Sequence, residues 1–135
     1  MMANRDFMRC RRVVAALGAA FAAVAPVAGH ACGACIEDKI AATYDHAVAM
    51  RAAAKGDVMV YCEVVGPLDP HRLTQAVRRV RGIKADSVRT SAQPAALSFA
   101  VDPSRLSPAA AVEATQRGLP AGTRLTIVRS GAAPG

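Results

Sequence analysis

Aromatic residues are scarce in this chain of 135 residues, which has no tryptophan, two tyrosines and three phenylalanines. Two of the phenylalanines, Phe7 and Phe21, lie within the first 31 residues. The rest of the chain cannot build a core on large rings. We therefore expect a core of small aliphatic side chains, chiefly alanine and valine.

Recognisable catalytic patterns are also missing. The sequence has no Ser-His-Asp order, no paired carboxylates in a recognisable loop, no phosphate-binding glycine run and no H-E-x-x-H pattern. Such patterns supply the nucleophiles, acids, bases and metal ligands of many enzymes. We therefore expect a binding protein rather than an enzyme, with thiol–disulfide chemistry as the one enzymatic alternative.

No apolar run is long enough to cross a membrane. The run at residues 13–25, VVAALGAAFAAVA, is shorter than the roughly 20 residues that a membrane-spanning helix needs. A basic segment precedes it, and residues 26–31 follow it with a proline and small side chains. These three zones are typical of a secretory signal peptide. We predict that residues 1–31 are removed and that the protein is periplasmic or secreted.

The cleavage position decides which residue comes first in the exported protein. Cleavage after Ala31 leaves Cys32 first, and cleavage after Gly29 leaves His30 first; lipid attachment to Cys32 is a further alternative. Four of the 17 basic residues and one of the 10 acidic residues lie in the predicted signal, so the net charge falls from +7 to about +4. We expect neither a nucleic-acid partner nor stable membrane insertion for the exported chain.

Helical spacing predicts one amino-terminal helix over residues 36–55, ended by Gly56. Its apolar side contains Ile36, Ile40, Tyr44 and Val48. Acidic residues 37 and 38 would lie in its first turn, where they complement the helix dipole.

A different pattern begins at residue 58. Strands are predicted at 58–65, 87–91, 95–101 and 124–129, with a hairpin at Gln93-Pro94. Helices are predicted after Asp69-Pro70 and after Ser107-Pro108, because Asp or Ser before proline marks a helix start. The order βαββαβ indicates an α+β, ferredoxin-like fold with a four-stranded antiparallel sheet.

Both sides of the first strand are apolar, so the sheet needs cover on both faces. We expect the amino-terminal helix to cover the second face with Ile40, Tyr44 and Val48. The predicted organisation is a signal peptide at 1–31, a C-x-x-C and helix at 32–56, a ferredoxin-like domain at 57–130 and a flexible tail at 131–135.

Residues 58–128 resemble a heavy-metal-associated (HMA) domain, the small module of metal chaperones and metal-pumping ATPases. The resemblance rests on the strand ending at Gly66, the helix exit Arg81-Gly82-Ile83, and the segment LSFAVDP at 97–103. In that family the loop after the first strand carries Gly-Met-Thr-Cys-x-x-Cys. Here Asp69 and Arg72 stand where the two thiols would be, so the resemblance implies the fold and not a metal site in this loop.

A separate C-x-x-C, at Cys32 and Cys35, lies just before the predicted amino-terminal helix. A helix start stabilises thiolates, and two thiolates suit a soft ion such as Cu(I), with His30 as a third donor if cleavage spares it. A structural or redox-active disulfide is an equal alternative in an exported protein. A thioredoxin-type enzyme, which needs a preceding strand, and two thiols without a role are the remaining interpretations.

Other candidate ligands fit structural roles better. Cys62, in the first strand, is expected in the core, with a three-sulfur site beside the C-x-x-C as the alternative. Met50 and Met59 are expected in the core, and His71 at the surface. A basic cluster on and after the second helix would form a solvated face or dock an acidic protein partner; it comprises Arg72, Arg78, Arg79, Arg81, Lys84 and Arg89.

Overall fold

The structure, a computed structural model, describes residues 32–131, with side chains from residue 36 onward. The predicted signal peptide, His30 and residues 132–135 of the predicted tail lie outside the described residues. The elements are α1 Cys32–Thr43, α2 His46–Lys55, β1 Val58–Val65, α3 Pro70–Arg78, β2 Arg89–Ala92, β3 Ala95–Val101, α4 Pro108–Arg117 and β4 Arg124–Gly131.

The four strands form one antiparallel sheet in the order β2-β3-β1-β4. The central strand β1 places Tyr61 opposite Ser98 of β3 and opposite Arg129 of β4. From β1 onward the chain order is βαββαβ, which confirms the predicted α+β, ferredoxin-like fold with additional amino-terminal helices.

The main core lies between the sheet and the helices α3 and α4. Alternate residues of each central strand face it, because successive side chains in a strand point to opposite faces. Its fully buried members are largely aliphatic, as the composition predicts, and include Val60, Cys62, Leu73, Val77, Leu97, Phe99, Val101 and Ala111.

A second core lies on the other face of the sheet. Met59 and Tyr61 of β1 are buried there against Ile40 of α1 and Val48 of α2, with Tyr44 partly buried beside them. The prediction that Ile40, Tyr44 and Val48 cover this face of the sheet is therefore confirmed. The Tyr61 hydroxyl is buried and has no hydrogen-bond partner within the part of the chain that the structure describes.

The prediction of one continuous helix over residues 36–55 was wrong. The segment forms two helices separated at Tyr44 and Asp45. Asp45 takes an extended conformation, and its carboxylate accepts a hydrogen bond from the Val48 N–H at 3.1 Å, which makes it the N-cap of α2. The first helix also begins earlier than predicted, at Cys32, so residues 37 and 38 do not lie in its first turn.

The strand predicted at 87–91 was placed too early. Residues 85–87 form a short 3₁₀ turn, and β2 begins at Arg89. The Ser87 hydroxyl accepts a hydrogen bond from the Ala100 N–H at 2.7 Å and donates to the Lys84 carbonyl at 2.6 Å. The Ser87 side chain thus makes the hydrogen bond to β3 that the backbone of a longer β2 would make. The last strand continues to Gly131, two residues past its predicted end.

The predicted starts of α3 and α4 and the predicted hairpin were correct. The carboxylate of Asp69 accepts hydrogen bonds from the backbone N–H groups of His71 and Arg72, and the Ser107 hydroxyl accepts one from Ala110. Gly56 ends α2 in the left-handed conformation. Residues 93 and 94, joined by a cis peptide bond, connect β2 to β3.

Gly66, which follows β1, contacts the loop between α4 and β4. Its φ of 97° lies in the region that favours glycine, and a Cβ built on it would overlap the Gly122 carbonyl oxygen. The Thr123 hydroxyl donates to the Pro67 carbonyl at 2.6 Å, which holds the same two loops together.

We predict that Gly66→Ala lowers the free energy of unfolding by about 2–4 kcal/mol, because it adds a backbone clash to a strained φ. The matched control is Gly56→Ala, where φ is also positive but a Cβ would meet nothing within 4 Å. That change should cost only about 1 kcal/mol. Urea denaturation measures both values, and equal costs would contradict the proposed contact.

Candidate functional site

Helix α1 crosses the sheet from one edge to the other. Polar groups in α1, or just after it, contact each of the four strands, in the order in which the strands lie in the sheet. The contacts are Glu37 with Arg129 of β4 (2.5 Å), Lys39 with Glu63 of β1, the Thr43 carbonyl with the Ser98 hydroxyl of β3 (2.9 Å), and Asp45, after the helix end, with Arg89 of β2 (2.9 Å). The helix therefore begins toward the β4 edge and ends toward the β2 edge.

The C-x-x-C motif forms the opening turn of α1. Cys32 is the first residue of the helix and Cys35 the fourth, so the prediction that both precede the helix was wrong by one turn. Their side chains lie outside the described residues. The first four N–H groups of a helix have no intrahelical partner and form the positive end of its dipole, which is the setting that favours thiolates.

Cys62 lies on the opposite side of the sheet from α1. It is 1% exposed in the core beneath α3 and α4, and burial raises the pKa of its thiol to about 12. The β-sheet separates it from the helix that carries Cys32 and Cys35. The core interpretation is confirmed, and the three-sulfur alternative was wrong.

The loop after β1 has a structural role in place of a metal site. Asp69 is occupied as the N-cap of α3, and the Arg72 guanidinium lies 3.6 Å from its carboxylate. A carboxylate paired with a cation does not suit a soft metal ion, which prefers thiolates. The residues of this loop therefore do not fit the metal that the HMA family binds there.

Histidine and methionine add no further ligand cluster. The His46 ring nitrogen hydrogen-bonds with the Tyr44 hydroxyl at 3.2 Å, and His71 is exposed as predicted. Met59 is buried as predicted, whereas Met50 is 55% exposed, so the core assignment of Met50 was wrong. Among the described side chains, residues 36–131, no group of three or more His, Cys, Asp or Glu residues is arranged to hold a metal ion.

The predicted basic cluster is divided in the structure. Lys84 forms an ion pair with Asp57 at 3.6 Å, and Arg89 forms one with Asp45. The Arg78 guanidinium donates a hydrogen bond to the Ala85 carbonyl at 3.2 Å. Two others, Arg72 and Arg79, share a groove with Arg117 of α4, and Arg81 does not line it. Sequence reasoning missed Arg117 because nothing local links it to α3.

Comparisons with known proteins identify no relative. No protein-family model, no curated protein and no solved structure matches the chain. Among the described helices, none has the length and apolar content required to span a lipid bilayer.

We predict that Cys62 in the folded protein resists thiol-specific alkylation at mildly alkaline pH. The thiolate is the reactive form, and a buried thiol with a pKa of about 12 supplies almost none. With the protein fully reduced, mass spectrometry should show Cys62 labelled only after unfolding. Its labelling at the rate of an exposed thiol would contradict the described burial.

Asp45 should make the stability of the protein depend on acid pH. The Val48 N–H, followed by the Arg89 guanidinium, lowers the pKa of Asp45 from its ordinary value of 3.8. The charged form therefore stabilises the fold above that value, and the stabilisation is lost as the pH falls through the lower, folded-state pKa.

We predict that Asp45→Asn, which keeps a capping side chain but removes the charge, lowers the melting temperature by a few degrees at neutral pH. The difference in melting temperature between this variant and the unaltered chain should disappear as the pH is lowered below 3.8. Asp38→Asn is the control, because Asp38 is exposed and forms no ion pair with any side chain in the range 36–131. A difference at Asp45 that is constant with pH would contradict the ion pair.

Proposed function

We propose that this chain is an exported protein that binds a soft metal ion, with Cu(I) the best chemical fit, through Cys32 and Cys35. The observation that carries the proposal is the position of the C-x-x-C in the opening turn of α1. Residues three apart in a helix lie on the same side of it, so one ion can take both sulfurs. The signal-like residues 1–31 support export to the periplasm or secretion.

The donor set favours an ion of low coordination number. Cu(I) accepts two sulfur ligands, whereas Zn(II) needs two more ligands beyond the C-x-x-C. No cluster of His, Cys, Asp or Glu among the side chains of residues 36–131 supplies a separate ligand set, and Cys62 is held on the other face of the sheet. The positive end of the α1 dipole would lower the cost of holding two thiolates there.

We also infer that residues 57–130 are an HMA-like domain whose own metal loop has been lost. The βαββαβ order and the strand ending at Gly66 support this inference. In the lost loop, Asp69 caps α3 and Gly66 contacts Gly122, so the loop now joins parts of the domain. On this proposal, metal binding has moved from the loop to the added helix.

The proposal predicts that the reduced protein binds one Cu(I) ion per chain in an anaerobic titration against a chromophoric Cu(I) chelator. Cys32→Ser/Cys35→Ser should remove this binding, because both proposed ligands are gone. Cys62→Ala is the matched control and should bind as the unaltered chain does, because its thiol is buried away from α1.

Unchanged binding in the double serine variant would overturn the site. Intact-mass measurement of protein isolated without reductant tests the disulfide alternative. A mass lower by two hydrogens, with no metal uptake after reduction, would replace the metal proposal with a Cys32–Cys35 disulfide.

A further inference from the structure

An open groove of about 510 Å³ lies between α3 and the carboxyl end of α4. The α3 residues that line it fall at helical spacing on one face of the helix. Its main lining residues are Arg72, Gln75, Ala76, Arg79, Arg117 and Gly118. We call this surface the arginine groove.

Small residues, Ala76 of α3 and Gly118 at the end of α4, lie where the two helices approach each other. A Cβ built on Gly118 would lie 3.6 Å from the Cβ of Ala76 and 3.4 Å from the Thr115 carbonyl oxygen, which is ordinary contact distance. The exit of α4 therefore lies directly against α3. Because Arg117 immediately precedes Gly118, this close approach brings a guanidinium from α4 to the same groove as Arg72 and Arg79.

The charge of the groove is largely uncompensated. Three arginines line it, and no acidic residue does. Arg72 is paired only loosely with Asp69, at 3.6 Å and with 71% of its side chain exposed. Arg79 and Arg117 form no ion pair with any carboxylate of the described side chains, residues 36–131.

The spacing of the charges indicates the size of the ligand. Arg72 lies in α3 and Arg79 is its C-cap, so the two are seven residues apart, roughly 10 Å along the helix axis. A ligand that extends over this length can contact both arginines along the same helix face. A peptide in the extended polyproline II conformation has three residues per turn and advances about 3.1 Å per residue, so two acidic side chains three residues apart lie on one side of it at a matching separation. Leu119 and Pro120 add apolar surface that a peptide can contact.

We propose that the arginine groove docks an acidic, extended segment of a partner protein. The proposal goes beyond soft-metal binding and does not depend on Cys32 or Cys35. The arginines that form this docking surface differ from those expected from the sequence. Arg78 and Arg81 do not line the groove, whereas Arg117, from a different helix, does.

The test uses fluorescence anisotropy at low ionic strength with a labelled ten-residue peptide that carries glutamate at every third position. Arg79→Gln/Arg117→Gln should weaken its binding about tenfold, since two charge-assisted contacts are lost. The matched control, Arg51→Gln/Arg81→Gln, removes the same charge from exposed arginines outside the groove and should weaken binding by about twofold or less.

Equal weakening by both double variants would overturn the proposal, because it would mean attraction by net charge alone. Equal binding of a peptide with glutamine in place of glutamate would also overturn it. A second measurement needs no variant: amide chemical-shift changes on titrating the unaltered chain should be largest near Gln75, Ala76 and Gly118. Changes centred elsewhere would place the peptide on a different surface and refute the groove.

Discussion

Burial of the second face of the sheet is the constraint on which this structure depends. A ferredoxin-like sheet carries its two helices on one face, but here Met59, Tyr61 and Ala100 put apolar surface on the other. Water contact with that surface is unfavourable, so α1 and α2 must cover it. Polar contacts of α1 with β4, β1 and β3, and of Asp45 just after it with β2, then set its direction. The opening turn of α1, which contains Cys32 and Cys35, therefore lies toward the β4 edge.

The same architecture explains why the loop after β1 is not a metal site. Gly66 can follow β1 only because it has no side chain to meet Gly122, and Asp69 satisfies the free N–H groups at the start of α3. Both residues hold elements together. This ferredoxin-like domain therefore keeps its fold without thiols in this loop, because neither structural role requires cysteine.

The two proposed activities occupy different surfaces. The C-x-x-C opens α1 on one face of the sheet, whereas the arginine groove lies between α3 and α4 on the other. Cys62 lies between these surfaces but is enclosed by the main core and has a pKa raised by burial, so it joins neither. This separation would allow the two proposed activities to be altered independently by substitution.

Sequence by itself determined the features that depend on residues close together in the chain. A run of β-forming residues specified β1, and Asp69, Ser107 and Gly56 specified helix ends, because strand propensity and caps are settled within a few residues. Tertiary structure decided the rest. The break at Asp45 depends on its own capping bond and also on Arg89, which lies 44 residues later. The grouping of Arg72 and Arg79 with Arg117 depends on how two helices pack, and a local pattern carries no information about such distant pairs.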